Sequence, residues 1–158
     1  MEEATLQTPL GTAHIYGDEA GISEITVTDG KLQEEQTSSL YTLQTCAAEL
    51  KAYFKGNLRT FSVPLLPQGT PFQKKVWAAL CEIPYGTTLS YAALARQLGD
   101  IKAIRAVAAA NGKNPLWVVI PCHRVIGSDG SMTGYASGIW RKEWLLEHEG
   151  AINQLSLF

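Results

Sequence analysis

Apolar positions near the start of the chain come in short alternating runs. TPLGTAHIYGD and GISEITVT, closed by a DGK turn, predict a small antiparallel sheet. The period then lengthens. From Leu40 to Phe54 the residues Leu43, Ala47, Leu50 and Phe54 recur at helical spacing, and Gly56 supplies a stop. LRTFSVPLLPQGTP carries Pro64, Pro67, Gly69 and Pro71 and reads as a strand followed by a linker. A boundary at residues 66–70 follows, giving an N-terminal α/β domain over 1–69 and a second domain over 70–158. The second half is mostly helical. PFQKKVWAALCEI places Phe72, Val76, Ala79 and Leu80 on one face, and PYG ends it. TTLSYAALARQLGD has Thr88 or Ser90 as a cap and a stripe of Tyr91, Leu94, Ala95 and Leu98. KAIRAVAAANGKNP predicts a third helix ended by Gly112 and Pro115, LWVVIP a short buried strand, and GIWRKEWLLEHEG a last amphipathic helix. The fold class is α/β (α+β): a small antiparallel sheet with a helix, then a mostly helical domain. A helix, a turn at Gly99–Asp100 and a second helix match helix-turn-helix geometry, which αα-hairpins that bind nothing also share.

Composition narrows the class. The 158 residues are 46% hydrophobic and 18% charged, which is globular usage. No apolar run approaches the ~20 residues that span a bilayer, and the N-terminus MEEATLQTPLG is acidic. A soluble, cytoplasmic protein is expected. The three cysteines, Cys46, Cys81 and Cys122, are odd in number and widely spaced. That argues against a disulfide framework and against a structural zinc site, so neither metal nor cofactor is expected. They read as free thiols, and reactivity becomes the question. Net charge is −2, but unevenly spread: residues 1–70 hold 4 basic and 9 acidic side chains, residues 71–158 hold 9 and 6. The mildly basic half can meet phosphates.

The candidate chemistry lies in VIPCHRVIGSDG, residues 119–130. A buried apolar run ends in Pro121, and a thiol, an imidazole and a guanidinium follow at Cys122, His123 and Arg124. Cysteine reacts as thiolate, so it needs a base or a positive field. Neighbours on an extended strand face opposite ways, so Cys122 and His123 cooperate only if the chain turns there. A carboxylate would hold the imidazole, and Glu143 in RKEWLL is the candidate. The alternative is a structural cysteine at a strand end. It is weakened by the cost of burying three polar groups without partners.

IPCHRVIG, followed by TGYASG and RKEWLLEHEG and preceded by SYAALA, KAIRAV and GKNP, resembles the O6-alkylguanine-DNA alkyltransferases (methylated-DNA–protein-cysteine methyltransferases), the Ogt-like members most closely. The likeness runs from Pro71 to Gly150. It implies a winged helix-turn-helix and a single-turnover repair reaction. In that reaction Cys122 takes the alkyl group from O6 of a damaged guanine and keeps it as a thioether. The resemblance further implies that His123 acts through water as base for Cys122, that Glu143 orients His123, and that Asn114 braces the turn presenting the thiol. Tyr91 would donate its hydroxyl toward guanine N3, stabilising the leaving base, and help rotate the nucleotide out. Arg105 would fill the vacated stack, with Ala106 and Ala109 on the small-residue face that approaches DNA. Tyr135, Val125, Ala136 and Trp117 would form the alkylguanine pocket, where Trp117, bulkier than the family's usual residue, is expected to narrow it or to stack on the alkyl group. The implied partner is double-stranded DNA carrying O6-alkylguanine, met in the minor groove by a monomer with little sequence preference. Without the resemblance, Tyr91 reads as core and Arg105 as a solvated helix residue. Two other readings stand beside it: a damage-binding module of the kind that lacks the acceptor cysteine, and a thiol hydrolase using Cys122, His123 and Glu143.

Overall fold

In the computed structural model, which describes residues 1–132 and 134–152, the early alternation forms one sheet of three strands, β1 (Glu2–Thr8), β2 (Gly11–Asp18) and β3 (Gly21–Thr28). They pair antiparallel in the order β1-β2-β3, with Leu6 opposite Ala13 and Ile15 opposite Ile25. Period-2 patterning, with a register shift at Tyr16–Gly17 that lets Ile22 and Ile25 share a side, sends Ala4, Leu6, Ala13, Ile15, Ile22 and Ile25 to one face. Helix α1 (Tyr41–Phe54) covers that face with Leu43, Cys46, Leu50 and Tyr53, all buried. Burial pushes the Cys46 thiol up to about 12, so it is an inert apolar residue at neutral pH.

The remaining helices are α2 (Pro71–Leu80), α3 (Tyr91–Gln97), α4 (Ile104–Gly112) and α5 (Ile139–His148). Two residues each of β4 (Leu89–Ser90) and β5 (Val125–Ile126) pair in parallel. Thr70 and Gln73 close a reciprocal cap on α2, with Pro71 in its first turn. The Trp77 indole of α2 donates to the Ala110 carbonyl of α4 at 2.8 Å, joining those two helices. Ser90, not Thr88, caps α3 by accepting from the Ala93 amide at 3.0 Å. Gly99 then adopts φ 95°, a left-handed conformation that glycine reaches without a Cβ clash. Asp100 takes the Lys102 amide at 2.8 Å, and a short 3₁₀ turn leads into α4. The expected helix, turn and helix are therefore present.

Two strand expectations fail. In LRTFSVPLLPQGTP only Leu65 bridges, to Ile22, because Pro64 and Pro67 have no amide to extend a ladder. In LWVVIP only Leu116 bridges, to Ile25. The run is buried as expected, but Val118 takes φ 71° and the chain turns away from the sheet. A β-branched residue there is a steric outlier.

The chain forms two compact units, Met1–Gln68 with Pro115–Trp117, and Gly69–Asn114 with the residues from Val118 onward. Thr133 of TGYASG and residues 153–158 of the expected second domain lie outside the described residues. Among the described residues no helix is long and apolar enough to cross a membrane.

Candidate active site

Cys122, His123 and Arg124 form one 3₁₀ turn between Pro121 and β5. This is the turn the thiol and imidazole need. All three side chains are buried, His123 completely. The approach to the turn is held by Asn114, whose side-chain amide donates to the Ile120 carbonyl at 2.7 Å. The Cys122 amide bonds the same carbonyl at 2.8 Å. Asn114 also bonds the Cys122 side chain.

The carboxylate partner is Glu149, and this corrects the expectation for Glu143. Glu149 Oε2 lies 2.8 Å from His123 Nε2. The same carboxylate takes a two-pronged contact from Arg124, Nε to Oε1 at 2.8 Å and Nη2 to Oε2 at 3.0 Å. Arg124 Nη1 donates onward to the Ile83 carbonyl at 2.7 Å. The reason is helical phase. Lys142, Leu145, Leu146 and Glu149 share the buried stripe of α5 and its end, and Glu143 falls beside it, half-buried. A carboxylate can only accept, so the proton in the His123 contact sits on Nε2. Nδ1 is left with its lone pair, and it has no hydrogen-bond partner among the described residues. Burial holds the imidazole below its usual range, overcoming the pull of Glu149, so it is neutral and able to accept a proton.

Charge around the thiol comes from another residue that sequence reasoning passed over. Lys142 is fully buried in α5, with Nζ 5.9 Å from the centre of the Tyr91 ring. Burial lowers its ammonium to about 8, and the charge of Cys122 opposes that fall. Burial also raises the Cys122 thiol above its usual range. Asn114, Lys142, Tyr135 and the local backbone pull it the other way. Desolvation outweighs the positive field, so the thiol stays above its ordinary value.

Tyr91 and Tyr135 connect the turn to an open cavity, lined by Tyr91, Ile104, Arg105, Ala108 and the Gly134–Ala136 segment. Cys122 is 8% exposed and interacts with both tyrosines, so it stands behind the cavity wall. Asn111, also unanticipated, reaches the Tyr91 hydroxyl at 3.4 Å and the Cys122 carbonyl at 3.5 Å. On α4, Arg105, Ala106 and Ala109 are exposed side by side. Val125, also expected at the pocket, is buried in its ladder with Leu89. Trp117 belongs to the first unit, where its ring lies 6.0 Å from Phe54, because the bridge at Leu116 carries the chain to β3.

Known proteins are similar to this chain over nearly all of its length. Residues 71–151 match the family described as 6-O-methylguanine DNA methyltransferase, DNA binding domain, and residues 1–67 match its ribonuclease-like domain. A methylated-DNA–protein-cysteine methyltransferase of Methanosarcina acetivorans is 44% identical over 155 residues, covering 96% of this chain and 99% of its own length. Its counterpart in Mycolicibacterium paratuberculosis is 39% identical over 160 residues, covering 99% and 97%. The crystal structure of Mycobacterium tuberculosis OGT in complex with DNA superposes with a TM-score of 0.83 at 41% identity, covering 93% of this chain and 91% of that one. With both domain descriptions matched in order along its length, the chain belongs to the 6-O-methylguanine DNA methyltransferase family.

Proposed function

We propose that this protein repairs O6-alkylguanine in DNA by moving the alkyl group to Cys122, once per molecule. The carrying observation is the buried His123–Glu149 pair next to Cys122 in one turn, beside two tyrosines that line a cavity next to an exposed arginine helix. DNA is the partner. The exposed small face of α4, with Ala106 and Ala109, fits closely against a minor groove. A base must leave the stack to reach the cavity, and Arg105 at the cavity edge fills the place it leaves.

The chemistry balances as follows. His123 Nδ1 accepts the Cys122 proton through a bridging water. The sulfur lone pair forms a bond to the alkyl carbon as the carbon–O6 bond breaks, and that electron pair passes to the guanine. Tyr91 gives the departing base a proton, and Lys142 offsets the negative charge left on the tyrosine. The thioether product has no good leaving group, which makes the transfer stoichiometric.

Incubation with duplex containing O6-methylguanine, followed by mass spectrometry, should show one added methyl on Cys122 and none on Cys46 or Cys81. Cys122→Ala should show none. Repeated turnover would favour the hydrolase reading instead. Arg105→Ala should slow repair in duplex about tenfold or more, the kinetic equivalent of a few kcal/mol of unstacking. It should leave reaction with the free modified base nearly unchanged. Equal losses on both substrates would reject the stacking role.

A further inference from the structure

The cavity wall at residues 134–136 belongs to an irregular loop and has no ladder of its own. Its shape matters because Tyr135 lines the cavity and its side chain acts electrostatically on Cys122. What holds the loop comes from the first turn of α5. Arg141 Nη1 donates to the Ser137 carbonyl at 2.6 Å, and the Arg141 amide bonds the Gly138 carbonyl at 3.1 Å. Gly138, at φ 106°, closes a turn onto the Tyr135 carbonyl at 2.9 Å. Arg141 is only 6% exposed, and its guanidinium lies 4.4 Å from the centre of the Trp140 ring. That ring also sits against Gly138, where an added Cβ would lie 3.2 Å from it. Trp140 itself is 53% exposed, an unusual place for an indole unless its flat face is in use.

We infer that the Trp140–Arg141 stack is the brace that fixes the Tyr135–Ser137 wall, and that it thereby sets how large an alkyl group can reach Cys122. The two side chains are positioning residues: neither lines the cavity, and both act through the loop. The inference rests on the proposed transfer to Cys122. A planar guanidinium can stack on the indole and donate in its own plane at the same moment; an ammonium cannot do both.

The test compares rates on two duplexes identical except for O6-methylguanine or O6-benzylguanine. Each variant's benzyl-to-methyl ratio cancels differences in folded fraction and in DNA affinity. Trp140→Ala and Arg141→Lys should raise that ratio tenfold or more, while Trp140→Phe, which keeps a flat ring, should stay within about twofold of the parent. An unchanged ratio in Trp140→Ala would overturn the brace, as would an equal shift in Trp140→Phe. If the parent protein transfers neither group to Cys122, the functional reading itself fails, and this is seen before any variant is compared.

Discussion

Replacing Glu149 with alanine should lower stability by about 3–5 kcal/mol, because it strands a buried cation beside a buried imidazole. Glu149 is the only carboxylate bonded to either His123 or Arg124 among the described residues, and its side chain is fully buried. Solvent screening therefore gives no relief. In a chain of this size the change corresponds to a melting temperature lower by roughly 10 °C. Alkyl transfer should fall about a hundredfold or more, since the tautomer of His123 is no longer fixed. Glu149→Gln separates the two effects. It keeps an acceptor for His123 Nε2 but removes the charge facing Arg124, so it should retain more activity than stability. Thermal melts and methyl-transfer rates on the same samples decide this. A Glu149→Ala protein that melts at the parent temperature would contradict the pairing. The parent should also be acid-labile. His123 titrates lower when folded than when unfolded. As pH falls below about 6.5 the unfolded chain takes up a proton that the folded chain resists, and stability present above that range is lost.

The second large effect belongs to Lys142. Its ammonium titrates at about 8, against 10.5 for an ordinary lysine. Below about 8 the folded protein carries a buried cation at a cost, and the cost is relieved as pH rises toward the unfolded value. The gap corresponds to about 3 kcal/mol. Cys122 works in the opposite direction, since its raised thiol binds a proton that the unfolded chain gives up. Comparing stability against pH for the parent and for Lys142→Met isolates the lysine. The variant should lack the rise between pH 8 and 10 that this group contributes. Its transfer rate at neutral pH should drop at least about tenfold, because each unit by which the thiol climbs further removes a factor of ten in thiolate. Identical pH curves for the two proteins would show that Lys142 keeps its proton as an exposed lysine does.

Most of the fold was legible because apolar spacing carried it. The strands alternate apart from one irregularity at Tyr16–Gly17, and α1, α3 and α4 begin and end within a residue or two of the caps and glycines that mark them. LWVVIP was misread for a physical reason: six consecutive apolar residues are buried in any conformation, so periodicity cannot show that Val118 turns the chain. At the site, the thiol and imidazole were legible from chemistry alone. Their carboxylate was not, because Glu143, Glu147 and Glu149 all sit close to the same helix. The signal that separates them was present. Leu145 and Leu146 mark the buried stripe, and stepping three or four residues either way reaches Lys142 and Glu149. Asn111 gave no such signal. It ends an alanine-rich helix, and only the fold brings it to Tyr91.

The bridge at Leu116 bears on how the gene could be divided. Ile25 donates its amide to the Pro115 carbonyl and receives the Trp117 amide, so the edge of the sheet is completed by three residues encoded far downstream. Severing the chain after Gln68 would give a fragment whose outer strand lacks its last hydrogen-bonding neighbour. Chimaeras that exchange the leading segment between relatives should therefore carry residues 115–117 with it, and those that do not should express poorly.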